Sequence, residues 1–150
     1  MLRSLQDSAF SAWVLGSDTI WSYPTILTLH TVGLAILVGA AMVIDLRVLG
    51  VGGAVPLHSL RGLYRVVWIG FIVNLASGVV LFVVQAADRA AQPVFYIKLA
   101  FIGVGFWLAL ALQRHLVTDV GQPARVRPMA AISLVCWLAA IVTGRLMAYV

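Results

Sequence analysis

Long apolar stretches alternate with short polar connections along this chain, and that alternation sets its architecture. Four stretches stand out, over about residues 21–49, 63–87, 93–117 and 128–149. Each holds about 20 or more residues, enough to cross a hydrocarbon core of ~30 Å as a helix. No water is present there to satisfy backbone N–H and C=O groups, so a helix that closes its own hydrogen bonds is the required form. The punctuation agrees. Pro24, Pro93 and Pro128 fall in the first turns of three stretches, where a missing N–H costs nothing. Gly50, Gly52, Gly53 and Pro56 break the chain after the first stretch, and Asp119, Gly121, Gln122 and Pro123 after the third. Short connections make neighbouring helices antiparallel. The expected fold is all-α: one integral-membrane domain covering residues 1–150, an antiparallel up-down four-helix bundle.

The first twenty residues are too polar to hold the apolar core of a signal peptide. Leu5, Ala9 and Trp13 recur at helical spacing, with Gln6 and Asp7 on another side. This predicts a short helix lying in the membrane interface. Trp13, Trp21, Tyr23 and Tyr149 form part of an aromatic belt at the same level.

Composition sharpens the class. Of 150 residues, 63% are hydrophobic and 10% charged, whereas a soluble domain carries roughly 25% charged residues. A water-soluble globule cannot be covered with so little polar surface, and the lipid bilayer becomes the expected surroundings. The formal net charge is +5, and the chain has no glutamate. Its arginines cluster between apolar segments, without the basic stripe and interleaved aromatics of a nucleic-acid binder, so no nucleic-acid partner is expected. They read instead as topology determinants. Arg47, Arg61 and Arg65 flank the first connection, and Arg114, Arg125 and Arg127 the third. The other side has Arg3 and Arg89, with Lys98 and Arg145 just inside the helices. The positive-inside rule then puts both termini on the extracytoplasmic side of a bacterial cytoplasmic (inner) membrane. The single cysteine, Cys136, lies in an apolar run and reads as an inert thiol.

Lipid gives helices no hydrophobic reason to associate, so small residues that let backbones approach do that work. Gly33, Ala40 and Ala41 supply them in the first span, Gly70 and Gly78 in the second, Gly105 and Ala109 in the third, and Ser133, Ala140 and Gly144 in the fourth. Asn74 falls between Gly70 and Gly78, at i+4 of the first and i−4 of the second. It is expected to hydrogen-bond across helices and align them, or to touch a ligand.

The intramembrane polar residues carry the candidate chemistry. At 1.5 Å per residue, His30 lies roughly 12 Å below the outer edge, and Lys98 and Arg145 little more than a turn below it. One reading has both cations snorkel to lipid phosphates, while His30 bonds a backbone carbonyl or a hydroxyl such as Thr28 or Thr143. The other has Lys98 and Arg145 clamp the anionic groups of a ligand centred on His30. Haem b fits this scheme, with propionates on the cations and iron on the imidazole; a quinone headgroup bonded to His30 fits it too. Bis-histidine ligation needs a second imidazole at that depth, where the other helices present Ser77, Ile102 and Ile141. His115 is about 31 Å from the outer end of its helix and cannot share an iron with His30. A haem would be singly ligated, or completed by another subunit of a homo-oligomer or larger membrane complex.

At the opposite end, Asp45 and Arg47 are expected to pair and lock helix ends. His58, His115 and a carboxylate are a candidate metal site, at a spacing that matches no ligand motif. No nucleophile–base pair, P-loop or GxGxxG cradle is visible, so no catalytic residues are assigned and an enzyme is not expected.

Taken as a set, the strings TLHTVGLAILVGA, IDLRVLG, GFIVNLASGVVLF, PVFYIKLAFI and TGRLMAYV resemble a bacterial four-span membrane family of unknown function. More distantly the chain is similar to copper-resistance-D-type membrane domains. The resemblance runs from Trp21 to Tyr149 and implies that His30, Asp45, Arg47, Asn74, Lys98 and Arg145 hold the family's polar positions. Thr28 stands where an acidic residue is common, and His58 departs from the pattern. Three functions follow as expectations: a haem- or quinone-binding accessory subunit of electron transfer, a copper-type metal-handling or small-solute transport protein, and a structural anchor for a larger complex.

Overall fold

The computed structural model describes residues 2–16, 21–53, 56–118 and 123–149, less the side chains of 57, 58, 116–118 and 123–125. Helices make up nearly all of it, and no strand occurs among the described residues. The order is α1 (Leu2–Gln6), α2 (Ala9–Gly16), α3 (Tyr23–Leu49), a 3₁₀ turn (Leu57–Gly62), α4 (Leu63–Val84), α5 (Ala86–Ala91), α6 (Pro93–Thr118) and α7 (Pro123–Leu146). Four of these, α3, α4, α6 and α7, are long and apolar enough to cross a membrane. Their outward faces carry Val43, Ile69, Ile72, Leu75, Trp107, Val135 and Val142, all exposed. A helix that is apolar on every side belongs in hydrocarbon, so the chain is a multi-pass membrane protein.

The helix ends follow local chemistry. α3 starts with Pro24 in its first turn and stops at Gly50, whose φ of 109° is left-handed. There Gly50 N–H bonds the Arg47 carbonyl at 3.1 Å and Val51 N–H that of Leu46 at 2.9 Å, which satisfies two carbonyls the helix leaves open. Gln92 is extended before Pro93, as the residue preceding a proline must be, and α6 begins on the proline itself.

Three boundaries differ from the hydropathy pattern. The second apolar stretch ends at Val84, and Gln85 (φ −129°, ψ 34°) steps the chain into the separate short helix α5. α7 begins at Pro123, so Pro128 lies inside it, one turn from the start. The N-terminal segment is two short helices where one is expected, and both are held against the protein. Gln6 Oε1 accepts the Ala87 N–H at 2.9 Å, Gln6 Nε2 donates to Asp88 at 3.1 Å, and Ser11 and Val14 are wholly buried. Polar contacts over eighty residues apart in sequence are invisible to a pattern read within one turn of helix. Trp13, Trp21 and Tyr149 are exposed at this end.

α3 packs mainly on α4, and α6 on α7; contacts between α3 and α7 join the two pairs. α4 and α6 stay apart at the backbone and meet through rings. Phe71 stacks on Phe106 at 4.0 Å, and Phe82 on Phe95 at 5.3 Å. The core runs through Leu37, Ile44, Tyr64, Val67, Leu112 and Trp137. Glycines set the closest approach. A Cβ on Gly70 would lie 2.5 Å from the Leu37 nitrogen, and one on Gly33 2.7 Å from the Asn74 nitrogen. Both clashes are with backbone, which cannot rotate away.

Gly70→Ala is therefore expected to force α3 and α4 apart, at a cost of about 1–3 kcal/mol. Thermal unfolding in detergent should show a clear loss of stability. Gly103→Ala, where nothing lies within 4 Å of the added carbon, should leave the transition in place. Equal behaviour of the two variants would contradict the packing.

Candidate functional site

His30 sits in the second turn of α3, on the face that meets α4. Its surroundings are built by the same small-residue contact. Gly78 leaves room for the ring, since a Cβ there would lie 3.0 Å from His30 Cε1. The imidazole Nδ1 lies 3.0 Å from the Asn74 carbonyl and 3.2 Å from Ser77 Oγ. In return, Asn74 Nδ2 donates to the His30 carbonyl at 2.9 Å. A carbonyl can only accept, so Nδ1 carries the ring proton. Ser77 donates its own proton to the Val73 carbonyl at 2.6 Å, leaving its oxygen free to accept from Nδ1. The 3.3 Å approach of Asn74 Nδ2 to Nδ1 is then a contact of two donors. Nε2 makes no hydrogen bond among the described residues and carries the ring's lone pair.

The Asn74 side chain is thus the alignment device between helices, while the backbone carbonyl at 74 orients the His30 ring. Thr28 and Thr143, the hydroxyls expected near His30, instead bond carbonyls of their own helices, Pro24 at 2.8 Å and Ala139 at 2.7 Å. A serine or threonine four residues after a free carbonyl takes this bond readily.

The two cations separate. Lys98 on α6 turns inward, its side chain lying across Gly144 with Nζ 3.5 Å from where a Cβ would be. It is in electrostatic range of His30 on one side and Arg89 on the other, and no carboxylate among the described residues pairs with it. Arg145 turns outward. It is exposed, and its guanidinium lies 5.5 Å from the Tyr149 ring centroid, a cation–π contact at the rim. The expectation that Arg145 shares a site with Lys98 is corrected: adjacent to Gly144, it points about 100° away from the inward stripe.

Arg89 takes its place nearer the site. α5 holds it, with Nε donating to Gln85 at 2.9 Å and one terminal nitrogen to the Met147 carbonyl at 2.9 Å and to Gln92 at 3.1 Å. Gln85 also donates to the Tyr23 hydroxyl at 3.3 Å. Sequence reading placed Arg89 in a connection. The i, i+4 spacing of Gln85 and Arg89 was the available signal that a helix organises it.

The opposite end also departs from expectation. Asp45 and Arg47 do not pair. Two residues apart on one helix, they face different sides: Asp45 is 2% exposed, while Arg47 donates to the Gly53 carbonyl at 3.2 Å. His58's side chain lies outside the described residues, as do Asp119 and the Arg125 side chain. His115 is half-buried near the far end of α6, and no group of three or more metal-ligating residues forms among the described residues.

Comparison with known protein families, curated proteins and solved structures gives no match to this chain. The likeness to copper-resistance-D-type domains rests on the sequence strings alone, and function is argued from the site.

The site makes a spectroscopic prediction. In alkaline buffer, ¹⁵N spectra of histidine-labelled protein should show His30 with its proton on Nδ1, and Asn74→Leu, which keeps the backbone carbonyl at 74, should preserve that tautomer while removing the Nδ2 bond that ties α4 to α3. A His30 protonated on Nε2 would contradict the network.

Proposed function

We propose that the chain binds a redox-active planar ligand beside His30 and Lys98, and that this ligand is a membrane quinone in its quinol form. The protein would serve as an accessory or electron-transfer module of a bacterial inner membrane, its arginine-rich end facing the cytoplasm and both termini outside. One observation carries the reading. Nδ1–H is locked to the backbone carbonyl at 74, so Nε2 offers a lone pair within electrostatic range of an ammonium that no carboxylate among the described residues pairs with. A quinol hydroxyl donates to such a nitrogen, and the ammonium of Lys98 donates to the second ring oxygen. The surroundings support a flat, apolar guest. The stacked rings of Phe82 and Phe95 lie one helical turn from Gly78 and from Lys98, on the side where α4 and α6 stay apart.

Haem b is the second reading, and the locked Nδ1 favours it as well. Axial histidines donate their other ring nitrogen to a carbonyl, which fixes the tautomer and raises the basicity of the ligating one. His30 would hold the iron, with Lys98 and Arg89 toward the propionates. The fit is incomplete, since Ser77 of α4, Ile102 of α6 and Ile141 of α7 offer no second imidazole at this level. Copper-type handling, solute transport and a purely structural anchor have no comparable observation in their favour.

Protein purified in a mild detergent, extracted with solvent and analysed by chromatography and mass spectrometry, should contain quinone at close to one per chain. A hydrogen bond to a charged group contributes roughly 1.5–3 kcal/mol and a neutral one about 0.5–1.5 kcal/mol, so Lys98→Met should lower occupancy about tenfold or more and His30→Ala about threefold to tenfold. A Soret band that His30→Ala removes would replace the quinone by haem. Neither quinone nor Soret band, after growth with supplements of both, would overturn the proposal.

A further inference from the structure

Toward the arginine-rich half of the bundle, four buried polar atoms have no hydrogen-bond partner among the described residues: Asp45 Oδ2, Tyr64 OH, Ser133 Oγ and Trp137 Nε1. They come from α3, α4 and α7, and each residue is more than nine-tenths buried. Three of them are one cluster. The Ser133 hydroxyl faces the Asp45 carboxyl without closing a well-formed bond, and the Tyr64 ring is in electrostatic range of it. Trp137 follows Ser133 by one turn of α7. Asp45 and Tyr64 line a crevice completed by Ala41, Ile44, Val67, Ala109 and Leu112.

Native proteins satisfy buried polar groups, so Asp45 and Tyr64 on the crevice, with Ser133 against Asp45, call for a missing partner. The chemistry of the set describes that partner. Asp45 brings one negative charge, and no cation among the described residues compensates it. α4 presents Tyr64 and Val67, α6 presents Ala109 and Leu112, and α7 presents Ser133, while Cys136 and the Trp137 ring lie against Gly105 of α6. An isolated charge in a low-dielectric site is costly, so the guest must be positive. One carboxylate matches one positive charge, and two hydroxyl oxygens supply further lone pairs, whereas a divalent ion would require a second acid. The crevice is too narrow for a water molecule, which restricts the guest to an ion without its hydration shell.

We infer that Asp45, Tyr64 and Ser133 form an intramembrane binding site for one small monovalent cation, arriving as a proton or as a sodium ion. Intramembrane carboxyls that face the protein interior mark ion and proton pathways generally. This site is separate from the one at His30, fifteen residues along α3, or roughly 22 Å.

Infrared difference spectroscopy on the whole protein in detergent tests this directly. Wild type minus Asp45→Asn should reveal a buried carboxyl whose C=O band changes with pH. Sodium chloride is then exchanged for choline chloride at fixed pH. A band that responds to sodium identifies the ion, and a band that responds to pH alone identifies the proton. Tyr64→Phe and Ser133→Ala keep the carboxyl and should change cation affinity by about threefold to tenfold, which packing alone does not do. An Asp45 band that is absent or unchanged across both pH and salt, in protein whose circular dichroism matches wild type, would overturn the assignment.

Discussion

The approach of α3 to α4 at Gly33, Gly70 and Gly78 is the constraint on which the rest of the molecule depends. In hydrocarbon, no hydrophobic force drives two helices together, and dispersion between close backbones must do so. That requires positions without side chains. Gly70 admits the backbone around Leu37, and Gly33 admits that around Asn74. Once the helices are this near, Asn74 reaches the His30 carbonyl and His30 reaches the Asn74 carbonyl. The hydrogen bonds are consequences of the packing: at a conventional interhelical distance of 8–10 Å set by larger side chains, neither group would span the gap.

The same contact explains why the imidazole presents one nitrogen and conceals the other. Gly78 gives the ring its space, and the Asn74 carbonyl fixes its tautomer. A histidine in a membrane helix is expensive unless its polar atoms are satisfied. Here half of that demand is met by α4, and the other nitrogen is left open, with Lys98 in electrostatic range of the ring. The two ends of the bundle therefore contrast. Near the start of α3, polar groups are knitted into a network with a single open valence. Near its end, Asp45 and its neighbours are buried with their valences unfilled. Small residues bring the helices close enough to bury both sets, and burial makes each one chemically selective.

The division into two helix pairs has its own consequence. α3–α4 and α6–α7 are tight, α3–α7 joins them, and the α4–α6 side is bridged by aromatic stacks. Stacked rings hold helices at a ring's width, not at the distance glycines permit. The bundle is therefore joined by close backbone contact on one side and by aromatic side chains on the other.

Much of this was legible in the amino-acid sequence. Four spans, their antiparallel order, the helix stop at Gly50 and the start at Pro93 rest on hydropathy and on cap chemistry within a few residues, and such local signals survive folding unchanged. The role of Asn74 was legible too, because its spacing from Gly70 and Gly78 places it on the small-residue stripe. What the sequence could not contain was rotation of each helix about its axis. α3, α4, α6 and α7 are apolar all round, so their patterns show no preferred face, and only packing decides which residues turn inward. That is why Lys98 and Arg145, at similar depth, parted company, why Arg89 replaced Arg145 near the site, and why Asp45 turned from Arg47 toward Tyr64 and Ser133. Depth in the membrane is a property of position along one chain segment, whereas direction is a property of the neighbours that segment acquires.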